Sequence, residues 1–575
     1  MAVSDYLIIL LYFIGLLALG GTLGKKIKSS REMFIAGKNS SWWLSGLSTY
    51  MTIFSAGTFV VWGGVAYRSG IVAIVVALML GVASIFVGLL LAGKWSRMSI
   101  NSPAQYLGIR FGQPTVRFYT LVGIIGRGVH TAVALYAIAI MVVALMPLPQ
   151  GHILADPDTG HLSITWAILI MGAITFIYTA AGGFIAVLMT DVVQFAVLLA
   201  MIIIMVPLSL DAIGGVGAFV SKAPEGFFSF VSERYSWGWM ILWCLLNFFM
   251  IGGDWPFVQR YISVPTSKDA RKSVYLVGAF YLTTPLIWYI PALVYRVIDP
   301  SASPEQAYML MSQHVLGAGM VGLMLAAMIS ATLSLVSGTL NVFANVFTYD
   351  IFKTFRRSAN DKSMMRTGRM FTYIYGFIIT IIAILIPYVG GAERVVVSIL
   401  TLVISPLFIP SIWGLFSKRI GQKAVWWSMG TTYLVAFLIK TGWIFRDFVN
   451  AHIEFTDAFI GLVFPVSILL FIELISWGKE RNPGWDRLAG MWGKEKEMLD
   501  ENEIEKNRKA GQIYSNMAFK LMMGTYAAIG VSMMIIAFTG EGNKGHPLLY
   551  GTIFFGVSLI AFCSFYWYKN RKKTK

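Results

Sequence analysis

Apolar runs recur along the whole chain, and their length constrains the fold more than any other feature. Each is about 20 residues long, which is the length of a helix that crosses a bilayer and about twice that of a barrel strand. Hydrophobic residues make up 57% of the chain and charged residues only 13%, a composition that a water-soluble protein would not tolerate. In hydrocarbon every backbone N–H and C=O must be paired within the protein, which helices achieve. The sequence therefore predicts an all-α membrane protein.

About fifteen such runs form one integral membrane domain over residues 1–575. We place the spans at residues 5–24, 43–67, 71–93, 115–146, 162–181, 185–208, 236–256, 273–297, 316–350, 367–389, 395–416, 424–444, 456–477, 517–539 and 546–567. The fourth and ninth exceed the thickness of a bilayer, so we expect them to tilt, bend or protrude. The longest polar stretch, 478–516, is dense in both signs of charge, which is typical of a solvated cytoplasmic helix.

Basic residues concentrate in every second loop. The first of these loops carries Lys25, Lys26, Lys28, Arg31 and Lys38. Arg110 and Arg260 belong to later loops of the same set, and a further basic run covers 569–575. Because cytoplasmic loops carry the excess of Lys and Arg, this alternation predicts a cell-membrane protein with its N-terminus outside and its C-terminus in the cytoplasm. The net charge of +17 follows from the same bias, and we expect lipid and a small solute as partners rather than nucleic acid.

Residues that could carry out covalent chemistry are scattered. Cys244 and Cys563 lie inside apolar runs and form neither a disulfide framework nor a metal-binding spacing. The six histidines are dispersed, and no HExxH, GxSxG or P-loop motif occurs. We therefore expect a carrier or a channel, not an enzyme, acting as a monomer or weak oligomer.

Polar residues inside the spans are candidates for a binding site, because polar groups in hydrocarbon face a cavity or a partner. In the second span, hydroxyl groups mix with Ala56-Gly57 over 52–58. This pattern fits either an unwound segment that offers carbonyls to a cation or close helix packing. The ninth span carries a polar stripe at helical spacing, made of Ser330, Ser334, Ser337 and Asn341. Such a stripe either lines a cavity or bonds helices together.

Asp191 lies about two turns inside the sixth span. An isolated carboxylate is unfavourable there unless it meets a cation or is protonated. It is therefore a candidate site for Na+ or H+, and a structural ion pair with a basic residue is the alternative. In the seventh span, Gly252-Gly253 followed by Pro256 predicts a broken helix, and paired broken helices favour alternating access over a channel.

Several passages together resemble the sodium/solute symporter family, which contains sodium-coupled sugar, proline, sialic acid and iodide carriers. They are REMFIAGKNSSWWLSGLS after the first span, SPAQYLGIRFG at 102–112, Gly182-Gly183-Phe184 with TDVVQ, FVQRYISVPTSKDARKS at 257–273 and FTYDIFK at 347–353. Their order over residues 5–420 makes the resemblance specific. It implies a LeuT-like core of two inverted five-helix repeats, 43–208 and 236–416. The helix 5–24 and the helices of 424–567 would then be peripheral.

The resemblance also implies sodium sites. The main site would use carbonyl and hydroxyl groups of the second and ninth spans, at Met51, Phe54, Ala331 and Ser334. Leu335 stands where the family usually has Ser or Thr, and a leucine side chain cannot ligate a cation. A second site in some members matches Asp191, Ser337 and the carbonyl of Gly338. Na+ is thus the expected coupling ion, with the stoichiometry open and proton coupling through Asp191 as the rival.

By the same resemblance, spans two, three, four, seven and eleven would hold the solute. The candidate residues are Phe59, Trp62, Arg127, His130, Tyr136, Asp254 and Trp255. Arg127 and His130 lie one turn apart where sialic-acid-type members carry an Arg, which suits a carboxylate; an Arg127–Asp ion pair is the alternative. Trp255 replaces a common Gln and removes a sugar-binding group. We expect Na+-coupled symport of a sugar or sugar acid, ranked above an amino acid; the alternative is a proton-coupled or uncoupled carrier of an organic acid or amino acid.

Overall fold

The computed structural model describes most of the chain. The described residues are 2–25, 29, 33–34, 38–98, 100–149, 151–356, 358–389, 402–403, 405–441, 443, 453–478, 480–498, 501–539 and 545–573. Over these ranges the structure is helical, and its β interactions are two isolated bridges, Pro147–His161 and Ala155–Leu162. Lys26, Lys28 and Arg31 of the first basic loop lie outside the described residues.

The helices of the first half of the chain are numbered in order. They are α1 (Val3–Gly24), α2 (Trp42–Ile53), α3 (Thr58–Ser69), α4 (Val72–Leu90), α5 (Ala92–Ser96), α6 (Pro103–Phe111), α7 (Gln113–Leu145), α8 (Ile164–Ala212), α9 (Gly215–Lys222), α10 (Trp237–Gly253) and α11 (Trp255–Ile262). The first turn of α3, Thr58–Trp62, is a π-helix. Helix α8 bends at Gly183, whose φ of 59° and ψ of −171° suit only glycine.

The second half continues the same numbering. Its helices are α12 (Ser267–Thr283), α13 (Pro285–Trp288), α14 (Ile290–Ile298), α15 (Ala307–Val315), α16 (Met320–Val346), α17 (Lys353–Phe355), α18 (Asp361–Leu385), α19 (Ser405–Trp413), α20 (Gln422–Lys440), α21 (Ile453–Ala458), α22 (Phe464–Ile475), α23 (Pro483–Met498), α24 (Glu501–Thr539) and α25 (Gly545–Lys573). π-Helical turns extend α16 over Phe347–Phe352 and join α21 to α22 over Phe459–Val463, and a 3-10 turn at Ile386–Val389 follows α18.

Membrane spans account for most of these helices. Within the described ranges, ten helices are long and apolar enough to cross a bilayer, and two bent pairs raise the number to twelve. Of the remaining predicted spans, 162–181 forms the first part of α8 and 424–444 corresponds to α20. The span 395–416 begins outside the described residues, so the count of fifteen stays a prediction.

The polar segment 478–516 is helical where it is described, in α23 and the start of α24. It is bonded to the end of α6: Arg487 Nε donates to the Ile109 carbonyl at 3.1 Å, and Arg110 Nη1 donates to Asn482 Oδ1 at 3.1 Å. Its helices lie between two predicted spans, and its exposure to cytoplasmic solvent stays a prediction.

Both predicted helix breaks are present. Helices α2 and α3 meet at 60° across residues 54–57, and α10 and α11 meet at 52° at Asp254. Gly252 is closely packed at the second break, because a Cβ there would lie 2.3 Å from Leu91 Cδ1 and that side chain would have to shift. The Pro256 ring is tolerated in the first turn of α11, where a missing N–H leaves no helical bond unmade.

Helix α16 is the centre of the bundle. Every one of its residues from Met320 to Val346 is buried, and it packs against α1, α2, α7, α8 and α18. The outer helices expose large apolar side chains instead, as lipid-facing helices do; on α1 these include Leu7, Leu10 and Ile14. The chain is thus a multi-pass membrane protein built around one fully enclosed helix.

A buried ion pair joins four of these helices. Arg260 of α11 and Asp191 of α8 are fully buried, with Arg260 Nη2 3.7 Å from Asp191 Oδ2. Ser48 of α2 completes a relay: its hydroxyl accepts from Arg260 Nε at 2.9 Å and donates to the Asp191 carboxylate. Ser334 of α16 donates to Asp191 Oδ1 at 2.6 Å. The carboxylate is therefore held by both broken helices and the central helix at once.

The structure corrects the interpretation of two basic residues. Arg260 was counted with the basic residues of a loop, yet it is fully buried and balances Asp191. Arg110, also counted there, is 1% exposed and donates to the carbonyls of Gly414 and Ser417 at 3.1 and 2.9 Å. Both residues lie near the end of a span in the sequence, which suggested a loop. A guanidinium can nevertheless be buried where carbonyls or a carboxylate accept its hydrogen bonds.

We expect the ion pair to stabilise the bundle as a unit. Asp191→Asn or Arg260→Gln alone leaves an unpaired buried charge and should lower the free energy of unfolding by about 3–5 kcal/mol. The double variant should be less destabilised than the sum of the two, because neither charge is then left alone. Thermal unfolding in detergent would measure this. Lys509→Gln, which breaks the exposed pair with Glu505 in α24, is the control and should change nothing measurable; simple additivity of the two core substitutions would contradict the coupling.

Candidate functional site

The break between α2 and α3 frees backbone carbonyls, because the next amides point elsewhere. Ala56 N–H donates to Thr332 Oγ1 of α16 at 3.0 Å, and Gly57 N–H donates to Ser55 Oγ at 3.2 Å. Ser55 N–H reaches a side-chain hydroxyl as well. In a continuing helix these three amides would bond to the carbonyls of Met51, Thr52 and Ile53. None of the side-chain hydrogen bonds made by the described residues ends on those carbonyls, so their lone pairs are available to a cation.

The carbonyl of Phe54 is freed in the same way. Its carbonyl would accept from the Thr58 amide in a regular helix, but that amide bonds to the Ser55 carbonyl at 2.9 Å. The Phe54 backbone is extended, with ψ at 133°, which turns the carbonyl away from the axis of α2. Both main-chain positions predicted for the second span, Met51 and Phe54, thus carry freed carbonyls.

The second break is satisfied within the protein. Trp95 Nε1 donates to the Gly252 carbonyl at 2.8 Å, and the Tyr261 hydroxyl donates to the Ile251 carbonyl at 2.7 Å. Two of the carbonyls that α10 frees at its end are therefore already occupied. The break between α2 and α3 leaves more of its carbonyls without a side-chain donor.

Helix α16 forms the opposite wall of that break. Ser334 donates its hydrogen to Asp191, which leaves its hydroxyl oxygen able to ligate a cation. Ala331 lies one turn earlier and is fully buried. Leu335 is buried at 1% exposure and offers no oxygen. The first predicted sodium site would therefore have at most four protein oxygens, one fewer than the family pattern, and it stays a prediction.

The second predicted sodium site does not fit. Asp191 is already neutralised by Arg260, and the Ser337 hydroxyl turns back to the Ser334 carbonyl at 3.1 Å rather than towards Asp191. Gly338 faces the same guanidinium, since a Cβ added there would lie 3.2 Å from Arg260 Nη2. The space expected to hold a second ion is thus filled by a side chain.

The polar stripe of α16 bonds to several neighbours. Ser330 is hydrogen-bonded to the Tyr12 hydroxyl of α1, and Asn341 Oδ1 accepts from Gln259 Nε2 at 2.9 Å. Together with Ser334, these side chains connect α16 to α1, α8 and α11. Of the two interpretations left open by the sequence, the described contacts favour helix-to-helix bonding.

Three of the candidate solute-binding residues form one buried cluster between α7 and the second break. The Arg127 guanidinium is paired with the Asp254 carboxylate, and both side chains are almost fully buried. Arg127 Nη1 also donates to His130 Nδ1 at 3.0 Å. The sequence left a carboxylate-binding Arg127 and an Arg127–Asp pair as alternatives, and the structure has the pair. Trp255 adjoins the cluster and packs on Phe343, with ring centroids 5.5 Å apart.

The other three candidates lie apart from that cluster. Trp62 and Tyr136 pack on a small apolar group of Val61, Val133 and Ile386. Phe59 packs instead against Tyr308 and Phe54, at centroid distances of 4.5 and 5.3 Å. By their contacts, the predicted solute residues form three groups.

Sequence reasoning missed several polar partners. Arg260, Ser48, Thr332 and Gln259 each contact a candidate residue or its helix. A signal existed for one of them: a lone buried carboxylate needs a cation, and Arg260 lies in a passage that the resemblance had singled out. For Ser48 and Thr332 no signal exists, because hydroxyl groups are common in spans and satisfy themselves within their own helix.

Comparison with known proteins agrees with this architecture. The family model described as the sodium:solute symporter family matches residues 33–431. Sodium/glucose cotransporter 1 of Mus musculus is 24% identical over 511 residues, covering 77% of this chain and 72% of that protein. Sodium/myo-inositol cotransporter 2 of Homo sapiens is 26% identical over 488 residues, covering 74% and 68%.

A solved structure confirms the predicted fold class. The substrate-bound outward-open state of a Na+-coupled sialic acid symporter superposes with a TM-score of 0.69 at 18% identity, covering 83% of this chain and 98% of that one. At this identity the match shows the fold alone, which is the LeuT-like helical core with additional outer helices. The relatives are transporters, not enzymes. With a family model matching more than half of its length, the chain belongs to the sodium:solute symporter family and is a sodium-coupled secondary transporter of the membrane.

Proposed function

We propose that this carrier couples one sodium ion, bound at the α2–α3 break, to the uptake of a sugar or sugar acid by alternating access. The observation that carries the proposal is the set of freed carbonyls at the end of α2, where the break is bonded to Thr332 of α16, the helix that also bears Ser334. Each chain contains the whole set, so a monomer suffices for transport. Bound Na+ would balance the partial negative charge of these oxygens.

The cation site would consist of the carbonyls of Met51, Phe54 and Ala331 and the hydroxyl of Ser334. Since these oxygens belong to α2 on one side and α16 on the other, they come together only while the two helices are in register. Binding there favours that register, which is the linkage that couples an ion gradient to a change of conformation. Asp191 would support the site indirectly by orienting Ser334.

Leu335→Ser tests the site by restoring the missing oxygen. We expect it to lower the half-saturating Na+ concentration for uptake by about fivefold to tenfold, the equivalent of one additional charge–dipole contact. Ser334→Ala should raise that concentration. Uptake into liposomes, with choline replacing Na+ to set the baseline, measures the half-saturating Na+ concentration of both variants. In the wild type, one Na+ should enter with each solute molecule.

Leu335→Ala is the matched control, because it removes the same apolar side chain without supplying a ligand. It should lower stability but leave the Na+ dependence unimproved. If Leu335→Ser and Leu335→Ala respond to Na+ alike, the cation does not lie beside residue 335. Equal wild-type uptake in choline and sodium would indicate the alternative, a proton-coupled or uncoupled carrier.

The solute site is proposed at the Arg127–Asp254 pair. The guanidinium offers several donors and the carboxylate offers acceptors, in a nearly water-free place next to the second break. Sugar hydroxyls both donate and accept, so a polyol can exchange with either partner. A sugar acid would additionally place its carboxylate on Arg127 in exchange for Asp254. Relatives named for glucose, inositol and sialic acid support this class.

Arg127→Gln should distinguish a sugar acid from a neutral sugar. Wild-type protein is first screened by thermal shift with sugars, sugar acids and amino acids, with and without Na+. If the stabilising ligand is a sugar acid, Arg127→Gln should raise its KM at least about tenfold through loss of charge-assisted hydrogen bonds. Arg117→Gln, an exposed position on the same helix, should leave KM unchanged. Stabilisation by amino acids alone would refute the proposed solute class.

We further propose the orientation and repeat boundaries that loop charge implies. The N-terminus would lie outside and the C-terminus in the cytoplasm, with 43–208 and 236–416 as the inverted repeats and the helices outside them peripheral. The concentration of Lys and Arg in alternate loops supports this orientation, although Arg110 and Arg260 no longer count towards it.

Cysteine labelling tests the orientation. In a background with Cys244→Ala and Cys563→Ser, a single cysteine at exposed Asp158 should react with a membrane-impermeant maleimide in intact cells. A single cysteine at exposed Lys268 should react only after permeabilisation. The reverse labelling pattern would show that the termini lie on the opposite sides of the membrane from those proposed.

A further inference from the structure

The N-terminal helix α1 lies outside the two proposed repeats and is bonded to the central helix α16 at two points. At the first point, Asp5 Oδ1 accepts from the amides of Gly319 and Gly322, both at 2.7 Å. These amides open the first turn of α16, where helical donors have no partner of their own. A buried carboxylate at a helix N-terminus also interacts favourably with the helix dipole.

The backbones of α1 and α16 touch at this point. A Cβ added to Gly322 would lie 2.5 Å from both Cα and O of Asp5, so only glycine permits the contact. The other Asp5 oxygen, Oδ2, accepts from the Ala2 amide at 2.7 Å. Asp5 therefore closes the first turns of two helices at once and leaves little freedom for either to slide.

The second point lies two turns further along both helices. Tyr12 of α1 is hydrogen-bonded to Ser330 of α16, and the Ser330 hydroxyl is also 2.5 Å from the Ala326 carbonyl. Asp5 and Tyr12 are seven residues apart, so they lie on the same face of α1. Since contacts progress in the same direction on both helices, α1 and α16 run parallel.

The second contact adjoins the proposed cation ligands. Ala331 follows Ser330 directly, and Ser334 lies one turn later on α16. A hydrogen bond at Ser330 therefore fixes both the height and the rotation of the ligand-bearing turn. We propose that Asp5 and Tyr12 are positioning residues that hold α16 in the register required for sodium binding. This inference rests on the proposed sodium site.

The test removes one hydroxyl group. Tyr12→Phe keeps the ring and should raise the half-saturating Na+ concentration about threefold to tenfold, while KM for the solute at saturating Na+ and the amount of folded protein stay unchanged. Tyr6→Phe, on the lipid-facing side of the same helix, is the matched control and should leave Na+ dependence at the wild-type value. Tyr12→Phe and Ser330→Ala should also be non-additive, because they remove the two ends of one bond.

The shift of the unfolding temperature by Na+ provides a readout without transport. It should shrink in Tyr12→Phe and in Asp5→Asn but not in Tyr6→Phe. Absence of any Na+ shift in the wild type would refute the sodium site itself and not the helix contact. A wild-type Na+ response in Tyr12→Phe would overturn the positioning role, as would equal losses in Na+ affinity, solute affinity and stability. Should Asp5→Asn fail to fold, Tyr12→Phe alone decides the matter.

Discussion

The ion pair between Asp191 and Arg260 is the constraint on which the arrangement of the inner helices depends. Each charge separately would lose several kcal/mol on leaving water, so neither helix that bears one can be buried without the other. The pair is 3.7 Å apart and is completed by Ser48 and Ser334, which brings α2, α8, α11 and α16 to one point. When α2 or α11 moves during transport, the four helices either move together with this network intact or the network breaks. Conformations that differ in the network are therefore separated by the cost of breaking it.

The two broken helices divide the work of binding. At the second break, Trp95 and Tyr261 donate to the carbonyls of Gly252 and Ile251, and we propose that the charged pair of Arg127 and Asp254 receives the solute. At the first break the amides bond to the hydroxyls of Ser55, Thr58 and Thr332, and we propose that the freed carbonyls bind the cation. In this proposal the ion and the solute bind at separate places, and the conformational change couples them.

Much of this fold follows from sequence because hydrocarbon permits few alternatives. The spans, the kink at Gly182-Gly183 and the break at Gly252-Gly253 are determined by apolar length and local backbone chemistry. The candidate site depends on contacts between residues that are distant in sequence, and the sequence predicts such contacts less well. Asp191 could be seen to need a cation, but whether that was Na+ or Arg260 depended on how α8 and α11 pack. Phe59 was assigned to the solute site because the resemblance places span two at the cavity; its ring packs on Tyr308, a contact that no sequence pattern indicates.

Leu335 shows how such a site can work with fewer ligands. Thr332 of α16 does not compensate, because its hydroxyl already accepts from the Ala56 amide at 3.0 Å and donates to the Met328 carbonyl at 3.3 Å. The cation would therefore have four protein oxygens and complete its shell with water. A weaker site loses occupancy outside the cell but releases its ion readily inside, and a carrier cycles only if release is as feasible as binding. Because no carboxylate ligates the ion directly, fixing the register of α16 matters more here, which gives the contacts from α1 a role that a stronger site would not require.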